Sequence, residues 1–195
     1  MVNVLAVNNY PTTERFEKLR RCLEDGGARV TAAAWSDSAA TRFAGFDGVA
    51  LSGSPYMLSQ ERAQRRFRAE ADAVRDATVP VLGVCFGHQL MALAFGGQVV
   101  RESENVLKFV KTVPLAVDPL FAGLSSGAML LESRHEVVRS VPEGFRLLAK
   151  SETSSIAAMR HARRPLYGVQ SHPERYTSEN PAGKRLVANF VGLLR

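Results

Sequence analysis

The sequence predicts an α/β fold: an open, mostly parallel sheet flanked by helices, with an antiparallel extension in the second half. Three observations predict it. Short apolar runs rich in β-branched residues alternate with amphipathic stretches up to Gly97, which is the pattern of βαβ units. Beyond Gly97 come short strand-like runs separated by turns. A buried run and a closing amphipathic stretch then restore the first pattern. At 195 residues, one domain over residues 1–195 accounts for the chain and can bury a sizeable core. No repeat, low-complexity tract or linker interrupts it.

The elements follow in order. Val2–Val7 reads as a buried strand. A loop and a helix from about Thr13 follow, stopped at Gly26–Gly27. "ARVTAAAW" gives a second strand, and "FDGVALSGSP" a third that ends in a Gly/Ser/Pro turn. "SQERAQRRFRAEADAVRDA" has apolar positions at helical spacing and reads as one long helix. "VPVLGVC" is the fourth strand, and "FGHQLMALAFGG" a helix closed by a double glycine. "QVVRE", "KTVPLAV", "AMLLES", "EVVRSV", "FRLLAKS" and "SIAAMRH" form the extension. "PLYGVQSHPE" returns to a buried strand, and "AGKRLVANFVGLL" is the last helix.

Composition excludes several classes. Hydrophobic residues make up 46% and charged residues 23%, which is globular rather than disordered. No apolar run reaches the length of a membrane span, and the N-terminus has no basic leader followed by a long apolar stretch. The cysteines, Cys22 and Cys85, are too few for a disulfide framework, so a cytoplasmic setting is expected. Without a CxxC pair or an HExxH, no metal site is expected. The formal net charge is +6, but the basic residues are dispersed. The densest run, Arg62–Glu70, reads as a solvated helix face rather than a nucleic-acid patch. No membrane or nucleic-acid partner is expected.

The chemistry centres on Cys85. Strand, cysteine and helix follow one another in "VLGVCFGHQL", and Gly83 and Gly87 flank the cysteine two residues to each side. This is the thiol counterpart of a nucleophile elbow. The glycines remove Cβ atoms where the turn brings backbone against strand and helix. The elbow places the sulfur at the carboxyl end of the sheet, where open α/β folds bind ligands. The helix start supplies free N–H groups and a positive dipole end, which favour negative charge. The competing reading is a small buried hydrophobe, which is the reading adopted for Cys22, beside Leu19 and Leu23 within a helix.

A thiol nucleophile needs a base, and the base an orienting group. Of the four histidines, His172 lies just beyond a predicted strand, with Pro173 and Glu174 after it. If that segment is extended, His172 and Glu174 point to the same side. His88 falls in the first turn of the elbow helix and suits packing or hydrogen bonding. His161 reads as a surface turn residue. His135 reads equally as a site-rim residue or a partner contact.

"GVCFGHQL" paired with "YGVQSHPE" resembles the class I, triad-type glutamine amidotransferases. "DGVALSGSP" resembles the family's SGGP-like turn, and "ENPAGKRLVANF" its final helix. The resemblance spans nearly the whole chain and implies a flavodoxin-like sheet and a glutaminase reaction. Cys85 would attack the glutamine side-chain amide to form a γ-glutamyl thioester, with His172 as base and Glu174 orienting it. By motif match, the N–H groups of Ser54 and Phe86 would form the oxyanion hole, and Gln89 and Gly53 would bind substrate. No cofactor or metal is implied. The "LSGSP" turn looks more like that of the GMP synthetase amidotransferase unit than that of the anthranilate or aminodeoxychorismate unit. The chain has no room for an ammonia-accepting synthase, so a separate synthase subunit is the implied partner.

There are departures from the pattern. Ser54 replaces a glycine, which matters if that residue needs a positive φ. Ser171 stands where many members carry an aromatic residue. Lys108 replaces a glycine often found along the glutamine pocket; it either faces solvent or points inward and alters the substrate. Two alternatives therefore stand beside the amidotransferase subunit. One is a stand-alone hydrolase of γ-glutamyl amides, peptidase C26-like; the other is a catalytically silent regulatory homologue.

Overall fold

The computed structural model describes residues 1–124 and 126–195, without the side chains of residues 38 and 39. Its strands are β1 (Val2–Asn8), β2 (Ala28–Ala34), β3 (Gly48–Leu51), β4 (Val81–Val84), β5 (Val99–Pro114), β6 (Ala128–Val138), β7 (Phe145–Ser151), β8 (Ala158–His161) and β9 (Leu166–Val169). The helices are α1 (Phe16–Asp25), α2 (Glu61–Arg66), α3 (Arg68–Asp76), α4 (Phe86–Ala94) and α5 (Ala182–Gly192). The strands form one sheet in the order β2-β1-β3-β4-β9-β8-β7-β5-β6. The first five positions pair in parallel and the rest antiparallel. The expected mostly parallel open sheet with an antiparallel extension is therefore present.

Alternation along β1 sorts the core into two layers. Val4 and Ala6 face Leu19 and Leu23 of α1 and Leu186 and Phe190 of α5. Leu5 and Val7 face the opposite side, where Val74 of α3 and Met91 of α4 close the second layer. Among the described residues, no helix is long and apolar enough to cross a membrane.

Three elements differ from expectation. The long helix from Ser59 to Ala77 is two helices. Phe67 lies between them at φ −99° and ψ 14°, anchored against the rings of Trp35, Tyr56 and Phe86. "QVVRE" and "KTVPLAV" are largely one strand, β5, whose register slips between Arg101 and Val106. "AMLLES" and "EVVRSV" are likewise one strand, β6. Its inward positions include Glu132, Arg134 and Glu136, all buried, and charges there hide the alternation that marks a strand.

Candidate active site

The elbow forms as its glycines require. β4 ends at Val84 and α4 begins at Phe86. Cys85 between them sits at φ 49° and ψ −97°, the one non-glycine residue with positive φ among those described. A strained conformation at a candidate nucleophile is a functional signal, because surrounding structure must hold it there. A Cβ on Gly83 would lie 2.5 Å from the carbonyl carbon and oxygen of Gly87, and a Cβ on Gly87 2.7 Å from Leu51 Cβ. Strand and helix therefore touch backbone to backbone, which turns Cys85 towards the end of the sheet.

His172 and Glu174 meet as expected, by a different route. β9 ends at Val169, and Pro173–Arg175 form a 3-10 turn rather than an extended segment. Glu174 Oε1 lies 2.8 Å from His172 Nδ1, which leaves Nε2 as the ring nitrogen available to a thiol. The His172 backbone N–H donates to Leu131 O of β6 at 2.7 Å. Burial, the largest influence, pushes the imidazole down. Cys85 and Glu174, through charge and hydrogen bonding, push it up by more, to about 10. The site therefore favours the protonated imidazole of His172, and a cation beside a thiol assists its ionisation.

The turn expected to complete the oxyanion hole lies alongside. Ser54 does not have a positive φ, so its Cβ brings no strain. Its hydroxyl instead fastens the turn: it donates to Asn9 O at 2.7 Å and accepts from Tyr56 N–H at 3.2 Å. Gly53 must be glycine for contact reasons. A Cβ there would lie 2.6 Å from His172 Cε1 and 2.5 Å from the Tyr10 hydroxyl. Phe86, buried against Phe67, opens α4 directly after Cys85. Among the described residues, neither the Ser54 nor the Phe86 N–H is spent on another loop or turn.

Gln89 is buried, and its Nε2 donates to Glu136 O at 2.9 Å and to Gln170 Oε1 at 3.3 Å. Gln170 in turn donates to Cys85 Sγ at 3.6 Å. The motifs did not single out Gln170, although it precedes His172 by the same two-residue step that links His172 to Glu174. Nor did they point to Tyr10, whose phenol is pushed up by burial and by the Glu174 and Cys85 charges. Glu136, whose carboxylate accepts the N–H groups of Leu58 and Ser59 at 2.7 and 2.9 Å, was missed too; it ties the loop after the turn to β6.

The remaining candidates separate. Lys108 is exposed, in line with a solvent-facing lysine. His135 is exposed and bonded to the Asn105 side chain. His161 ends β8 where the turn to β9 begins, packed against Phe95 and Phe145, and its Nδ1 accepts the Arg163 and Arg164 N–H groups of that turn. Ser171 is buried. Among the described residues, no group of three or more His, Cys, Asp or Glu is placed to hold a metal.

Two expected results follow from this arrangement. Iodoacetamide at pH 7 should label Cys85 and spare Cys22, because burial, reinforced by the Glu174 and Asp25 charges, pushes the Cys22 thiol up to about 12. Peptide mass spectrometry reads this directly; preferential labelling of Cys22 would contradict it. The second concerns His88, fully buried behind the elbow. Burial pulls its imidazole down to about 4, against partial opposition from the backbone at Gly168 and Ile156. In the unfolded chain it titrates near 6.5, so between these values the unfolded state binds more protons. His88 should therefore cost no stability above pH 6.5 and about 3 kcal/mol at pH 4. Denaturation midpoints of the native chain and His88→Gln across pH 4–7 would reveal it; parallel curves would refute it.

The family model for glutamine amidotransferase class-I matches residues 7–193. The chain belongs to the class-I glutamine amidotransferase family. Relatives within this family include a glutamine-hydrolysing GMP synthase subunit of Methanosarcina barkeri, 41% identical over 74% of this chain and 72% of that protein. The corresponding subunit of Archaeoglobus fulgidus is 38% identical over 76% of both chains. A solved Thermoplasma acidophilum structure, assigned provisionally as a GMP synthase subunit, superposes with a TM-score of 0.85. It is 27% identical, covering 100% of this chain and 94% of that one. A glutamine amidotransferase structure from Thermotoga maritima shares the fold, with a TM-score of 0.72 at 16% identity over 90% of this chain and 77% of that one.

Proposed function

We propose that residues 1–195 act as one glutaminase domain, the amidotransferase subunit of a two-chain, GMP synthetase-like enzyme. The observation that carries this reading is Cys85 at φ 49° on its elbow, beside a His172 that Glu174 holds at 2.8 Å. Relatives that are themselves subunits of GMP synthases support the partner, a separate synthase subunit that receives ammonia.

The reaction runs in two halves. The Cys85 thiolate attacks the side-chain amide carbon of glutamine, and the Ser54 and Phe86 N–H groups hold the resulting oxyanion. The His172 imidazolium gives its proton to the leaving nitrogen, so ammonia departs and a γ-glutamyl thioester remains. Neutral His172 then takes a proton from water, which attacks the thioester. Glutamate leaves, and Cys85 and His172 return to their starting state. Glu174 keeps the imidazole oriented throughout. Gly53, with no Cβ, lets the turn pack directly against the His172 ring, and Gln89 would meet substrate through its amide oxygen.

The test is ammonia release from a panel of γ-glutamyl amides, by the chain alone and with candidate synthase subunits. Glutamine hydrolysis should be slow alone and rise on addition of the partner. Rapid turnover of another γ-glutamyl amide by the chain alone, with glutamine inert, would overturn the reading.

A further inference from the structure

Behind the Ser52–Ser54 turn lies a buried polar pair that the reaction above does not use. Asn9, at the end of β1, is fully buried, and Glu70 of α3 is 2% exposed. Asn9 Nδ2 donates to Glu70 Oε1 at 2.9 Å. Asn9 holds the turn at three further points. Its backbone N–H donates to Ser52 Oγ at 2.9 Å, its Nδ2 lies 3.5 Å from Ser52 O, and its carbonyl accepts from Ser54 Oγ at 2.7 Å. Ser52 Oγ itself donates to Gly53 O at 2.9 Å. Every residue of the turn is thus bonded to Asn9 directly or through Ser52, and Asn9 is bonded to Glu70.

We propose that Glu70 and Asn9 are positioning residues that fix the Ser52–Ser54 turn and so aim the Ser54 N–H at the oxyanion. This rests on the reading of Ser54 as an oxyanion donor. Two details support it. Asn9 Oδ1 and Glu70 Oε2 are both buried without a hydrogen-bond partner, and a buried polar group left so is costly. Burial also pushes the Glu70 carboxyl up to about 8, although the Asn9 bond pulls it down. At neutral pH Glu70 is therefore an acid, carrying the O–H that Asn9 Oδ1 lacks. Beside the observed Asn9 Nδ2–Glu70 Oε1 bond, a carboxylic acid can donate a second hydrogen bond to the amide oxygen, which would stiffen the pair without burying a charge.

Glutamine at position 70 reproduces both donor and acceptor, whereas alanine removes them. Glu70→Ala should lower kcat for glutamine about 10- to 100-fold with KM within about twofold, since an oxyanion donor acts in the transition state. Glu70→Gln should recover kcat to within about threefold of the native chain. Ser54→Ala, which keeps the N–H but loses the tie to Asn9, should lower kcat about 10-fold at unchanged KM. It also serves should Glu70→Ala fail to fold. Equal losses in Glu70→Ala and Glu70→Gln, or unchanged kcat in Glu70→Ala or Ser54→Ala, would overturn the proposal. An independent measurement is the amide resonance of Ser54. It should move in Glu70→Ala and stay in place in Glu70→Gln. If the native chain releases no ammonia from glutamine under any condition, the proposed function fails, and this resonance still decides whether the pair sets the turn.

Discussion

Cys85→Ala is expected to lower glutamine hydrolysis by at least about 10⁴-fold while leaving the fold intact. The loss should be this large because, in the reaction proposed above, the Cys85 sulfur is the atom that forms the bond. His172 and Glu174 have nothing to act upon without it, so the residual rate is what the oxyanion donors and binding alone supply. The measurement is ammonia release under saturating glutamine, with circular dichroism to verify the fold. Retention of even a tenth of the native rate would remove Cys85 from the mechanism. Stability gives a second readout. Alanine still carries a Cβ at φ 49°, so its denaturation midpoint should barely move. Cys85→Gly relieves the strain, of order 1–3 kcal/mol. It should be at least as stable as the native chain even though glycine gains about 0.5–1 kcal/mol of unfolded-state entropy. An inactive variant that is not weakened is the expected signature of a residue held in place for chemistry.

Gly83→Ala should have the largest structural effect. Its Cβ would fall 2.5 Å from the Gly87 carbonyl and 2.8 Å from the His88 nitrogen. These are backbone atoms in the first turn of α4, and no side-chain rotation can clear them. The helix must lift from the strand, and Phe86, Leu90 and Met91, all buried, lift with it. We expect a cost of at least about 3 kcal/mol, at the upper end of overpacking effects, or failure to accumulate as folded protein. Gly192→Ala is the control: beyond its chain neighbours and its own helix backbone, no described atom lies within 4 Å of a Cβ there, and at the end of α5 alanine should be neutral or stabilise by up to about 1 kcal/mol. Urea midpoints compare the two. A Gly83→Ala chain as stable as the control would mean that elbow and helix are not in the contact described.

What could be read from the sequence follows where sequence signals are physically strong. β3, β4 and β9 are short and fully buried, β1 is an apolar run buried everywhere but at Asn3, and the turns that stop them contain Gly or Pro, so residue type alone marks them. The elbow is legible because two glycines at fixed spacing have a steric purpose. β6 is not, because Glu132, Arg134 and Glu136 occupy inward positions. Arg134 is neutralised by Glu132 and Glu102, whose pairing no local pattern announces. The break at Phe67 depends on Trp35 and Phe86, residues distant in sequence. At the site, Cys85, His172 and Glu174 could be named from their motifs. Asn9 and Glu70 could not, because 61 residues separate them and only the fold brings an amide against a buried acid.

β6 lies at the end of the sheet with β5 as its one strand neighbour. Such an edge ordinarily offers unpaired backbone groups to foreign strands. Here Leu131 O receives the His172 N–H, Ser133 O lies 3.8 Å from Cys85 Sγ, and Glu136 O receives Gln89. The residues proposed for catalysis thus also cover the sheet's edge. Whatever pries the His172 segment away uncovers, in the same motion, a template for aggregation, so inactivation and self-association should begin as one event.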